Sequence, residues 1–336
     1  MTARRAAVRY AVVAAAPAEV AAPLQRIWDT NLTIAGGVAD KFRWLYQDAP
    51  DPSDVVFMLE AHGADGTDAE ARFVGTAGIG VRRFQVLDRE VTIALLADLA
   101  VDHEHRSLLP ALELVRRVKT HALGSHALAY GFPNRNAIGV FKRAGYQPLG
   151  TITRHARVLR HGAYLQKLQD HDVPQLPPAI KRVVDRVFAI PALARAGAAA
   201  IDAARLARGA PGAVRATRHH RLEWLAVPDD RVDALWERAR GEYQIVGRRC
   251  AAFLRWRFPA AAGNRLAALI RRDDRSLDAY AVVQHEAGTA HLRDLFGHTA
   301  ALGPLLDRLI PALYRQGATS ASIRYLGATH IVDLLA

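Results

Sequence analysis

At 336 residues, 51% hydrophobic and 23% charged, the chain is long enough for two buried cores and too apolar to be disordered. Forty-five Lys and Arg against 33 Asp and Glu give a net charge of +12, which favours anionic partners such as a phosphorylated co-substrate. Cys250 is the sole cysteine, which excludes an internal disulfide and cysteine-rich zinc sites and points to a reducing cytoplasm.

The basic residues are scattered along the chain, so they read as a general surface and nucleic acid is not the expected partner. Arg4 and Arg5 precede an Ala-rich stretch, but its apolar core is short and Arg9, Pro17 and Glu19 interrupt it; no signal peptide is expected. No uncharged apolar run reaches about 18 residues, so no membrane span is expected.

In chain order, 9–16 reads as a strand ended by Pro17, and 18–28 as an amphipathic helix. The aromatic cluster Lys41-Phe42-Arg43-Trp44-Leu45-Tyr46 is followed by an Asp- and Pro-rich turn; it reads as core, with Tyr46 beside a possible acceptor pocket. Residues 55–61 and 72–81 form a hairpin around a turn at 63–67, and 82–90 makes a second turn.

The stretch 91–150 holds the most chemistry. An apolar strand, 91–101, carries one acid, Asp98, and runs into the polar connection Asp102-His103-Glu104-His105-Arg106-Ser107. A helix starts near Pro110 and ends at Gly124; a second strand, 126–132, leads to Pro133-Asn134-Arg135-Asn136 and a short helix closing at Gly145-Tyr146. A strand feeding directly into a helix presents free backbone N–H groups at the positive end of the helix dipole, which suits a pyrophosphate. Pro110 fits the first helical turn, where a missing donor costs nothing. His103 and His105 alternate within a turn without further ligands, so no metal site is expected. Residues 151–160 read as a last strand of this unit.

The composition then shifts. Residues 166–218 are rich in Ala, Arg and Pro, with a helix over 183–208 broken at Pro191. This reads as a helical linker; a weak basic contact with an anionic membrane surface is the sharper alternative, short of apolar anchors. From 219 on the chain echoes its first half: a strand, a proline and a helix ending in Trp236 against Trp28, then Phe253-Leu254-Arg255-Trp256 against Phe42-Arg43-Trp44-Leu45. Leu292-Arg293-Asp294-Leu295 echoes Ala97-Asp98-Leu99, and Gly303-Pro304-Leu305 echoes Leu109-Pro110-Ala111. An internal duplication follows, giving domains at 1–165 and 219–336 joined by 166–218. The second copy ends where the first enters its final helix, so its own last strand is missing or supplied from elsewhere.

Read in order, Asp98-Leu99-Ala100-Val101, Arg106-Ser107-Leu108-Leu109-Pro110-Ala111, Pro133-Asn134-Arg135-Asn136-Ala137 and Arg143-Ala144-Gly145-Tyr146 resemble the GCN5-related N-acetyltransferase (GNAT) superfamily, whose acyl-CoA loop reads Arg/Gln-x-x-Gly-x-Gly/Ala. The paired layout resembles tandem two-domain members associated with bacterial surface polysaccharides. The resemblance covers 8–160 well and 220–336 more faintly. It implies an α/β (α+β) fold of two GNAT-like domains, each a mixed, mostly antiparallel sheet flanked by helices.

It implies also an N-acyltransferase that moves an acyl group from acetyl-CoA or another acyl-CoA to an amine of a small molecule or amino sugar. The strands 91–101 and 126–132 would splay around the pantetheine arm. Amides of Leu99, Ala100 and Val101 would bond it and polarise the thioester carbonyl. Arg106 and the loop of Ser107, Leu108, Leu109, Pro110 and Ala111 would hold the pyrophosphate through backbone amides, with Asn134 or Asn136 on the pantetheine amides. Asp98 stands where a base can deprotonate the acceptor, although it also fits a structural role. Two departures matter: Leu109 replaces the loop glycine, and Phe141 replaces the tyrosine that protonates the leaving thiolate, leaving Tyr130, Tyr146 or water as substitutes. No Arg precedes the corresponding turn of the second copy, so no cofactor is expected there. The rival readings are a Fem-like transferase using charged tRNA and a non-catalytic descendant that binds a ligand or partner.

Overall fold

The computed structural model describes residues 8–63, 71–164 and 191–335. The chain divides into two compact units, Met1–Leu149 with Tyr243–Arg248, and Gly150–Glu242 with Arg249–Ala336.

The first unit begins with β1 (Arg9–Ala15), α1 (Ala21–Asn31) and α2 (Val38–Tyr46). The helices form where apolar residues recur at helical spacing: Leu24, Ile27 and Trp28 on α1, and Phe42, Leu45 and Tyr46 on α2, all buried. Then come β2 (Val56–His62), β3 (Arg72–Val86), β4 (Arg89–Val101), α3 (Leu108–Ser125), β5 (Leu128–Gly131) and α4 (Ile138–Arg143). The sheet order is β1-β2-β3-β4-β5, antiparallel except for the parallel pair β4–β5. Alternation along β2 sends Val56 and Met58 to the α1–α2 layer, and Phe57, Leu59 and Ala61 to the α3–α4 layer.

The broad turn expected over 82–90 is not there. β3 runs on to Val86 and β4 starts at Arg89, so the reversal takes only Leu87 and Asp88. Leu87 adopts a positive φ of 53°, a conformation rare for leucine that leaves no turn signature. The far end of β3 is lined by β8 (Ile245–Gly247), which pairs with Phe84–Val86.

The second unit contains β6 (Thr153–Val158), α5 (Pro191–His219), β7 (His220–Leu225), α6 (Asp230–Ala239), α7 (Ala251–Arg257), β9 (Asn264–Arg271), β10 (Leu277–Glu286), β11 (Thr289–Gly297), α8 (Thr299–Arg315), β12 (Ser320–Tyr325) and α9 (Thr329–Leu335). Its sheet runs β6-β12-β11-β10-β9-β7, with β11–β12 the parallel pair. The order β7-α6-α7-β9-β10-β11-α8-β12-α9 repeats β1-α1-α2-β2-β3-β4-α3-β5-α4, and Val232, Leu235 and Trp236 of α6 match Leu24, Ile27 and Trp28 of α1 as buried anchors.

Two expectations change here. Residues 151–160, read as the last strand of the first unit, form β6 on the edge of the second sheet, antiparallel to β12; the strand that the second copy lacks in sequence is supplied from before the linker. The second copy also reaches its closing helix, α9, before the chain ends. In the linker, α5 is described from Pro191 onward; 183–190, the part of the expected helix before that proline, lies outside the described residues.

Candidate active site

The site is built on an irregularity in β4. Gly78 of β3 faces Ala97 and Thr76 faces Ala100, so Asp98 and Leu99 together oppose the single residue Ala77. This is a β-bulge, and Asp98 sits in it at a φ of +55°. The extra residue inverts the alternation of the strand. Before it, Ala94 and Leu96 face the α3 layer; after it, Leu99 and Val101 do, while Ala100 joins the α1–α2 layer. Asp98, which unbroken alternation would aim at the apolar α3 side, meets Lys41 of α2 instead, at 2.7 Å between Oδ1 and Nζ.

Aromatic residues pack around this pair. The Lys41 ammonium lies 5.5 Å from the Trp28 ring centre, and Trp28 stacks on Tyr46 at 6.2 Å. Tyr46 is buried, and burial together with the Asp98 charge pushes its hydroxyl well above the usual phenol range. Its oxygen approaches Gly78 so closely that a Cβ there would stand 2.8 Å away, which is why β3 carries glycine at this point. Asp98 Oδ2, Tyr46 Oη, Trp28 Nε1 and Thr76 Oγ1 are buried without a hydrogen-bond partner among the described residues. Buried polar groups are ordinarily satisfied, and these four lie on the α1–α2 face of the sheet beside the bulge.

The same bulge opens the sheet. β4 and β5 pair from Ile93/Leu128 to Leu96/Gly131 and no further, leaving the β4 edge unpaired past the bulge. Asp102 N–H turns to Val74 O on β3, so alternation puts the Val101 amide on the open side. α3 starts at Leu108, two residues before Pro110, and no side chain among the described residues caps it; its first N–H groups have no partner among the described residues. Leu109 does not point into the core. It is 64% exposed, standing in solvent at the first helical turn.

Other anticipated residues have duties of their own. Arg106 donates Nε–H to Val101 O (2.9 Å) and an NH2 proton to Asn31 Oδ1 (2.8 Å), and Asn31 in turn donates to Asp102 Oδ1 (2.7 Å). Arg106 therefore ties the strand end to α1 as well as lending charge to the loop. Asn134 Oδ1 accepts from the amides of Asn136 and Ala137, starting α4 as an Asx turn, while Asn136 itself is exposed. His105 is held by Tyr10 and Arg72. Tyr146 packs on Phe141 at 5.0 Å in the α3–α4 layer, and burial raises its hydroxyl above the ordinary phenol value. Tyr146 thus belongs to the opposite face of the sheet from Lys41 and Tyr46, and the tyrosine close to Asp98 is Tyr46. Lys41 and Trp28 carried no signal in sequence; Lys41 is 57 positions from its partner.

The second unit shows what such a site looks like when closed. β11 also bulges, at Arg293, and its pairing with β12 ends at Leu292/Ile323. Asp294, however, accepts from Arg249 Nε through both oxygens (3.1 and 3.0 Å) and from Tyr280 Oη (2.9 Å), and arginine does not give up its proton. α8 begins immediately after β11, and its N-terminus is filled by the Glu242 carboxylate, which accepts from Thr299 N and Oγ1 (2.7 and 2.8 Å) and pairs with His298 Nδ1 (2.5 Å). Burial pushes Glu242 upward, but these donors outweigh it and hold the carboxyl below its usual range.

No family model matches the sequence, and no curated protein matches it either. Solved structures do match in shape. One, from Enterococcus faecalis V583, is described as a conserved protein of unknown function and probable N-acyltransferase; it aligns at a TM-score of 0.63 and 10% identity over 95% of this chain and 67% of its own. A GCN5-related N-acetyltransferase from Kribbella flavida aligns at 0.57 and 13% over 98% and 67%, and another from Anabaena variabilis ATCC 29413 at 0.60 and 10% over 94% and 66%. The chain spans about two thirds of the length of these proteins. With its bulged fourth strand, its parted fifth strand and these structural neighbours, the chain carries the fold of the GCN5-related N-acetyltransferases.

Proposed function

We propose that the first unit binds an acyl-CoA along the open edge of β4 and transfers the acyl group to an amine of a small molecule. The observation that carries this is the bulge at Asp98 and Leu99, which coincides with the end of the β4–β5 ladder. It leaves strand amides free to grip pantetheine and polarise the thioester carbonyl, and the uncapped start of α3 gives the pyrophosphate its donors. The co-substrate supplies an activated acyl group; the chain supplies alignment and a nearby carboxylate. An acceptor amine arrives as an ammonium, which the Asp98 charge and the Trp28 face attract, and Asp98 then receives its proton.

The second unit is inert in this reading, because Glu242 fills the helix N-terminus with the chain's own anion and Asp294 is locked by Arg249 and Tyr280. Titration with CoA and acetyl-CoA, followed by calorimetry and thermal unfolding, tests it. One binding event per chain is expected, and a ligand at 100 times its Kd adds about 2.7 kcal/mol to the native state. The absence of binding, or two binding events per chain, overturns the reading.

A further inference from the structure

Only five of the 45 basic residues are lysines, and one of them, Lys41, is the direct partner of the bulge carboxylate. We infer that Lys41 is itself an acyl acceptor: the first unit acylates its own α2 lysine. This rests on the acyl-CoA reading above, and adds to it the identity of one acceptor.

Four features converge on Lys41. Its Nζ is 2.7 Å from Asp98 Oδ1, already in the place an incoming ammonium must reach. The two side chains are 22% and 12% exposed, shielded from most of the bulk solvent without being sealed from it. The Trp28 face holds the ammonium on its other side. Asp98 keeps a second oxygen that has no partner among the described residues, so it can take a proton there without first breaking the Lys41 contact. The second unit gives the contrast: there the carboxylate is matched with Arg249, which has no nucleophilic form.

The step balances without a further reactant. Asp98 receives a proton from the Lys41 ammonium, and the neutral Nζ attacks the thioester carbonyl carbon. A C–N bond forms and the C–S bond breaks. The nitrogen sheds two protons in all: one leaves through Asp98 to solvent and the other neutralises the departing CoA thiolate. The products are Nζ-acyl-lysine and CoA. Acylation removes the positive charge from α2 and leaves Asp98 free for an external amine.

The test is incubation of the full chain with isotopically labelled acetyl-CoA, followed by peptide mass spectrometry at Lys41, Lys119 and Lys142. One acetyl group is expected on Lys41, at least tenfold faster than on Lys119 or Lys142. Asp98→Asn should slow it by about 100-fold, as for loss of a general base, and Lys41→Arg, which keeps the ion pair, should abolish it. A readout independent of turnover is the thermal midpoint: Lys41→Gln, neutral like the acyl-lysine, should melt below Lys41→Arg because it strands the Asp98 charge. Labelling of Lys41 no faster than the other two lysines, or unchanged in Asp98→Asn, overturns the inference. If calorimetry detects acetyl-CoA binding while Lys41 stays unlabelled, the inference fails and the acyl-CoA reading stands; if there is no binding, that reading fails first.

Discussion

Asp98 occupies a left-handed backbone conformation that aspartate and asparagine tolerate better than other non-glycine residues. Asp98→Asn should therefore keep the bulge while removing the negative charge. For transfer to an external amine the expected outcome is a fall in kcat of about 100-fold with CoA affinity unchanged, measured by steady-state kinetics beside calorimetry; equal turnover would remove Asp98 from the chemistry. Asp98 could be picked out in sequence because a lone acid in an apolar strand is conspicuous. Its partner could not. Lys41 lies in a cluster whose apolar members alone fix α2, and Tyr146 drew attention by following Gly145, although the fold sends it to the other face of the sheet. The resemblance drew attention to β4 and the loop after it; which side chains share a face was decided by one extra residue in β4, which no periodicity in the sequence announces.

At the scale of elements, the two helices that follow the bulged strands differ at their first turns, and the difference can be measured. α3 is uncapped, with Leu109 exposed beside its free N–H groups. Leu109→Gly should tighten CoA binding, because a glycine lets the pyrophosphate approach the backbone; unchanged affinity in calorimetry would mean that the leucine never stood in the way. α8 is capped by Glu242, whose carboxyl is depressed in the folded protein from its ordinary value of 4.5. A depressed acid stabilises the fold above its unfolded value, and that stability is lost as pH falls through the folded one. Thermal midpoints of the wild type should therefore drop more steeply below about pH 4.5 than those of Glu242→Gln, whereas at neutral pH Glu242→Ala should cost about 1 kcal/mol, as for other N-caps. Parallel acid limbs in the wild type and Glu242→Gln would deny the cap this role. α3 was legible in sequence as the run from Pro110 to Gly124, and α8 only through the echo of its Gly303-Pro304-Leu305; Glu242 as a cap was not, because it reaches α8 from 57 positions away.

For the whole molecule, each sheet contains a strand that sequence order would not assign to it. β8 lies in the second half of the chain yet borders β3, and β6 precedes the linker yet borders β12. Local patterns could identify 151–160 as a strand but not its neighbour, since register is fixed by pairing and not by the strand's own composition. Placing β6 on the second sheet has a directional consequence. Leu159 N–H donates to Thr319 O, and Arg157 faces Ala321 two residues further along the antiparallel ladder. Amides alternate sides along a strand, so the Arg157 N–H points at β12 and the Ala156 N–H points outward. Proline is tolerated on an edge strand only where its missing N–H faces away from the sheet. Arg157→Pro should therefore weaken the second unit by about 1 kcal/mol or more and raise amide exchange along Ser320–Tyr325, while Ala156→Pro should do far less. Exchange that rises in β5 of the first unit instead, or responds equally to both substitutions, would return β6 to the sheet that sequence order gave it.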